Sequence, residues 1–258
     1  MTGKEFPLQE LIAKSSKILA ESVRGLSASE RKLVERKCSQ FAQRTEQRSK
    51  TKALVFEAMV VDLGQKHVWF GPSAYVCKST PIDDLLGVDL FIELPSSANA
   101  SWVACGIDVT TSFQHKELHF QQIMKEIRNQ KLVEAKHFKR QASSITLIPR
   151  LILGLERHRF EQLAYLWLKD KHEELEGHPL YHAMLNEAIV QLRNYIAYAS
   201  SLANHDQVTE AFELALQAFL ELKKIVIPIT EPNQDEEMKG SDDQVYQHIA
   251  SLSARYYG

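Results

Sequence analysis

The chain has 258 residues, 44% of them hydrophobic and 25% charged, with a formal charge of −2. That is the make-up of a soluble globular protein, long enough for one large domain or a core with a sizeable appendage. The near-neutral balance argues against a large non-specific nucleic-acid surface, three cysteines without CxxC spacing argue against structural zinc or a disulfide framework, and no apolar run approaches the length of a membrane span.

Met1 to Pro7 is charged and lacks an apolar leader core, so a cytoplasmic location is expected. Leu8 to Leu26 has helical apolar spacing, and Ser27-Ala28-Ser29-Glu30 offers a cap for a second helix reaching about Phe41. A third helix is expected over Ala53 to Val61, stopped by Gly64, with Glu57 placed inside its apolar stretch. His67 to Ser79 reads as a loop or short strand pair around Gly71-Pro72. Two buried strands follow, Asp83 to Leu94 and Trp102 to Thr111, and then a helix from Ser112 or His115 to about Ala135. Ser144 to Leu155 is β-prone but interrupted by Pro149, which has no amide to donate, so it reads as an edge strand or a bulged one.

The remainder is helical over about Arg157 to Leu168, His182 to Leu202 and Gln207 to Ile225. The last two helices suit an antiparallel pair that caps the sheet or forms a homodimer or protein-partner face. Four regions are expected: a helical N-terminal region over 1–46, an α/β core over 47–156, a helical extension packed on it over 157–229, and an acidic, partly mobile tail over 230–258.

The chemistry-bearing feature is a pair of acids inside apolar strands, Asp89 and Asp108. Two carboxylates buried in adjacent strands need a cation, a shared proton or water access, and a divalent metal answers that need most directly. Val109 offers a backbone oxygen, and Thr110, two residues past Asp108 on the same strand face, offers a hydroxyl for water or a phosphate oxygen. Asp83 and Asp84 at the strand mouth are ordinary turn residues within possible reach of a metal, while Glu93 lies about 13 Å further along the strand at roughly 3.3 Å per residue. Gln114 and His115 lie beyond the second strand. His115 and His119 share a helical spacing without a third zinc ligand, and Cys105 reads as a small buried residue.

These segments, helix-borne Glu57, Gly87-Val88-Asp89, and Gly106-Ile107-Asp108-Val109-Thr110 before a basic helix, resemble the PD-(D/E)xK nuclease superfamily over roughly Thr51 to Leu155. The resemblance implies a restriction-endonuclease-like α/β fold, a mixed sheet with flanking helices and an αβββαβ core. It also implies a Mg²⁺-dependent (Mn²⁺-tolerant) endonuclease acting on nucleic acid, DNA favoured over RNA. By position, Asp89 and Asp108 would be its metal-binding acids and Glu57 its helical glutamate. The superfamily's lysine falls on Thr110 and is absent, which leaves Lys116, or Lys125 further along the helix, as the substitute cation. Lys125, Arg128, Lys131, Lys136, Lys139 and Arg140 would follow the phosphate backbone. The alternative is a noncatalytic nuclease-fold module that binds nucleic acid or protein.

Overall fold

A computed structural model describes residues 7–22, 48–79, 83, 87–96, 101–111, 116–135, 145–226, 247 and 251. The helix expected near Ser29 to Phe41 and the acidic tail lie outside the described residues, apart from Gln247 and Ser251, both helical. In chain order the elements are α1 (Leu8–Ser22), α2 (Arg48–Gln65), β1 (Tyr75–Lys78), β2 (Leu90–Ser96), β3 (Ser101–Thr110), α3 (Lys116–Arg128), β4 (Val133–Ala135), β5 (Ile145–Ile148) and β6 (Arg150–Gly154). The C-terminal part comprises α4 (Arg157–Leu168), α5 (His172–Glu176), α6 (Pro179–Ser201) and α7 (Asp206–Val226).

The main sheet has the order β1-β2-β3-β6, antiparallel across its first two pairs and parallel between β3 and β6. A parallel neighbour needs a long crossover, and here α3 and the small β4–β5 ladder provide it. Strand alternation sends Leu90, Ile92, Leu94, Val103, Cys105, Ile107 and Val109 into the main core. Phe91 and Ala104 face the other way and pack with Val88, Val133 and Ile148. Both faces are therefore covered, which is why these strands read as continuous apolar runs rather than alternating ones.

Helix α2 is apolar nearly all round, with Val55, Phe56, Ala58 to Val61 and Leu63 buried, and it packs on α1, α4 and β1. Gly64 does not stop it. The chain reverses at His67 (φ 62°), where the His67 amide donates to Gly64 O at 3.1 Å and the Val68 amide to Leu63 O at 3.0 Å, a Schellman ending. Gly64 instead permits close packing, since a Cβ there would fall 2.9 Å from Val76 Cβ.

The helix expected to reach Ala135 ends at Arg128. Gln130 adopts φ 54°, and the Gln130 and Lys131 amides return to Ile127 O and Glu126 O, each at 3.0 Å. A non-glycine residue in the left-handed position hid this stop, and Val133–Ala135 forms β4 instead. Pro149 separates β5 from β6, and β6 is an edge strand of the main sheet.

Helices α6 and α7 pack against each other, α6 lies on β6, and α7 lies against β2 and β3. Glu187 and Gln191, one turn apart on α6, cover the open edge of β6. The Ile152 amide donates to Gln191 Oε1 at 3.0 Å, Gln191 Nε2 donates to Ile152 O at 2.6 Å, and the Gly154 amide donates to Glu187 Oε2 at 3.2 Å. Bonded this way, the edge offers no template for another strand. Trp69 stacks on Tyr181 at 5.1 Å between centroids and donates from Nε1 to Leu175 O at 3.0 Å, tying the loop after α2 to the C-terminal helices. One main core runs from Leu11 to Leu222.

Candidate active site

The β2–β3 register ends at Leu90↔Ile107, and the Asp89 amide donates to Ile107 O at 2.8 Å. Asp89 stands just ahead of β2, where the ladder ends. Its carboxylate takes over as the acceptor that the strand no longer supplies: Oδ2 receives the Val109 amide at 2.7 Å. The Asp89 carboxylate thus rests on the peptide immediately following Asp108.

Asp108 is buried on β3, and its Oδ2 contacts Nδ1 of His119, a half-exposed residue on the first turn of α3. Glu57, buried on α2, meets Lys78 at the end of β1, with Nζ 2.6 Å from Glu57 Oε1. The same ammonium donates to the backbone carbonyl of Asp89 at 3.0 Å. That carbonyl also receives the Ser79 amide at 3.1 Å and the Ser79 hydroxyl at 2.9 Å. Glu57 is therefore joined to Asp89 through an ammonium and a backbone oxygen, while the two aspartates are joined through the β3 backbone.

The turn entering this site is fixed from below. Gly87 has φ +81°, a conformation that side chains rarely adopt, and a Cβ there would lie 3.0 Å from Nη1 of the buried Arg150. Arg150 Nη2 is 3.5 Å from Glu126 Oε1 on α3. Burial pushes the Glu126 carboxyl above its ordinary range, and the Arg150 charge only partly opposes this. Asp83 is buried in the same turn, and its carbonyl accepts the Val88 amide at 3.1 Å.

Of the other residues singled out by sequence, Val109 gives its amide to Asp89 and its side chain to the core. Thr110 ends β3, with its carbonyl accepting the Leu155 amide at 3.0 Å. Glu93 is buried in β2 opposite Ala104. Lys116 opens α3, with its side chain outside the described part, and Lys125 is exposed near the end of that helix. Arg128 is held by two bonds to the Tyr198 hydroxyl at 3.2 and 3.0 Å. Asp84, Gln114, His115, Lys136, Lys139 and Arg140 lie outside the described residues.

Sequence reasoning missed Lys78 and the pairing of Asp108 with His119. The signal for Lys78 was present: it lies two residues past Val76 in a β-prone run, so it shares the face that α2 covers. Burial holds the Cys105 thiol up at about 12, which makes it an inert core group.

Among the described residues, no group of three or more His, Cys, Asp or Glu side chains is arranged to hold a metal ion, and no helix is long and apolar enough to cross a membrane. Comparison with known proteins finds no matching family model, curated protein or solved structure.

Proposed function

We propose that the chain is a Mg²⁺-assisted nuclease of the PD-(D/E)xK type, hydrolysing phosphodiester bonds in nucleic acid, DNA in preference to RNA. The observation that supports this reading is that the Asp89 carboxylate accepts the amide of Val109, the residue next to Asp108. The order helix, three antiparallel strands, helix, and then β6 parallel to β3, with the β4–β5 ladder inserted before it, supports this reading without being the bare αβββαβ order that the resemblance implies.

The donor set suits magnesium better than zinc or calcium. Magnesium is commonly held by one or two carboxylates and completes its shell with water and substrate phosphates, so a three-donor protein cage is not required. Asp89 and Asp108 would hold it. A carboxylate offers about four lone-pair sites, so the Val109 amide and His119 do not preclude a further ligand. When bound, the ion would polarise a phosphoryl oxygen and acidify a water. The protein's own contribution is rigidity: β2 and β3 fix the acids, Lys78 holds Glu57 beside the strand end, and Thr110 offers a hydroxyl to the attacking water.

A second reading is favoured by a specific observation. Glu57, Asp89 and Asp108 each already have a protein partner, and threonine occupies the position of the superfamily's lysine. Such a site suits a noncatalytic nuclease-fold module that binds nucleic acid or protein. Calorimetric titration with Mn²⁺ and Mg²⁺ of the parent and of Asp108→Asn, together with cleavage assays on DNA and RNA, separates the two. Metal binding lost in Asp108→Asn together with cleavage supports the nuclease. Metal binding without cleavage of any substrate supports the module, and equal, negligible binding in both proteins defeats the metal site.

A further inference from the structure

We propose that Asp108 and His119 form a carboxylate–imidazole dyad whose outer nitrogen is the base of this site, taking the proton of the water that attacks the phosphodiester; the inference rests on the nuclease reading given above. Asp108 is buried on β3 and its Oδ2 meets Nδ1 of His119, the two side chains being 7% and 37% exposed. A carboxylate oxygen only accepts, so Nδ1 must carry the ring proton, and in the uncharged ring Nε2 then holds the lone pair. Among the described residues the imidazole has Asp108 as its one partner, which leaves Nε2 for a molecule that enters the site. A buried acid that fixes the tautomer and direction of a half-exposed imidazole turns a rotating surface group into a directed base.

Both members are held from outside the pair. Strand β3 lies between β2 and β6, with Asp108 in register with Ile152. Helix α3 buries Phe120, Ile123 and Ile127, and its far end is fixed by Glu126, 3.5 Å from Arg150, and by Arg128 on the Tyr198 hydroxyl. The helix also covers the face that the dyad needs. Val103, Cys105, Ile107 and Val109 point into the main core, so Asp108 and Thr110 alternate onto the opposite face. Arg150, in register with Gly106, reaches Glu126 on that same face, about two helical turns past His119. Thr110, whose hydroxyl is offered to the attacking water in the reading above, therefore shares the face on which the imidazole sits. In the step itself one O–H bond of water breaks as its proton moves to Nε2, the oxygen bonds to phosphorus, and the P–O bond to the leaving alkoxide breaks. That alkoxide takes a proton from solvent, and Nε2 returns its own to solvent.

The test is single-turnover cleavage of a fluorescein-labelled DNA duplex with Mg²⁺, run beside Mn²⁺ calorimetry and duplex anisotropy in EDTA on the same proteins. His119→Ala takes the imidazole from a buried acid and risks the fold. The informative variant is therefore His119→Asn, whose side-chain amide can donate to Asp108 from the position of Nδ1 but has no basic nitrogen. The expected His119→Asn protein is folded by circular dichroism, binds Mn²⁺ and the duplex as the parent does, and cleaves about 10²–10⁴-fold more slowly. Added imidazole is expected to restore part of the cleavage to His119→Ala and leave the parent unchanged, a response that a merely structural histidine would not give. A His119→Asn protein cleaving within about threefold of an active parent overturns the proposal and leaves the nuclease reading standing. A loss of cleavage matched by weaker Mn²⁺ or duplex binding overturns it too, since His119 would then act through the fold or the metal. A parent that cleaves neither DNA nor RNA with either ion overturns the nuclease reading itself, and the dyad's role as base falls with it.

Discussion

The Glu57–Lys78 pair makes a quantitative prediction about stability that is independent of any activity. The two side chains are 8% and 13% exposed and lie 2.6 Å apart. At an effective dielectric of about 20, that separation corresponds to roughly 6 kcal/mol of Coulomb attraction, most of it offset by the several kcal/mol needed to desolvate each ion. The intact pair is thus nearly neutral relative to an uncharged isosteric pair, and breaking it from one side is not. Lys78→Met is expected to lower the unfolding free energy by about 3–5 kcal/mol, because it strands a buried carboxylate. Glu57→Gln should cost less, since the ammonium keeps the Asp89 carbonyl. The double variant should return to within about 1 kcal/mol of the parent, giving a coupling energy of roughly 3 kcal/mol. Urea denaturation followed by circular dichroism, at low and high salt, measures all four corners of the cycle. Buried pairs are screened weakly, so the coupling should survive added salt. Single variants within about 0.5 kcal/mol of the parent, with additive effects, would show a solvated pair and refute the reasoning.

Other parts of the fold make predictions of their own. Gly64→Ala gains helix propensity of about 1 kcal/mol but forces a Cβ to 2.9 Å from Val76 Cβ and still closer to Val76 Cγ2; a net loss of about 1–3 kcal/mol is expected, partly rescued by Val76→Ala, which removes Cγ2 and keeps Cβ, and chemical denaturation of the double variant checks it. His178 caps α6 by accepting the Leu180 amide on Nδ1 at 3.2 Å, and burial, helped by the His182 charge, holds its pKa below the ordinary 6.5. The unfolded chain therefore takes up the proton first, so stability should fall as pH drops below about 6.5 and remain flat above it. His178→Ala should lose about 1 kcal/mol of cap and flatten that slope, readable in melting temperature against pH. Cys105 should resist a thiol reagent in the folded protein and react on unfolding, while half-buried Cys77 reacts earlier; labelling of Cys105 at the rate of Cys77 would contradict the packing.

What the sequence made legible follows from periodicity. The strand pair around Asp89 and Asp108, helix α2 and the three long C-terminal helices were readable because apolar spacing or β-branched runs mark them, and their observed bounds differ by at most five residues, except that the first strand begins at Leu90 and not at Asp83, which is helical. The ends of α2 and α3 were not readable, because His67 and Gln130 take the left-handed position usually signalled by glycine. The same kind of ending closes α4 at Asp170 (φ 52°), with the Lys171 amide returning to Leu166 O at 3.0 Å. Glu57 was visible as a charge in an apolar stretch, but its partner was not. Lys78 lies 21 residues away in a four-residue strand, and only the packing of α2 on β1 brings the two together.

The arrangement around Asp89 shows how one strand end serves both structure and chemistry. A β2–β3 ladder continued past Leu90 would satisfy the Val109 amide with a backbone carbonyl and leave the Asp89 side chain idle. Because the chain instead turns away at Gly87, that amide needs another acceptor, and the carboxylate provides it. Asp89→Ala would therefore leave a buried amide unsatisfied, costing about 1–3 kcal/mol, whatever the site does. Asp89→Asn keeps an acceptor oxygen for Val109 while removing the charge that a hard cation needs. Loss of metal binding in Asp89→Asn at unchanged stability would assign Asp89 to the metal, whereas unchanged metal binding would reduce it to a strand-end cap and leave Asp108 to act alone.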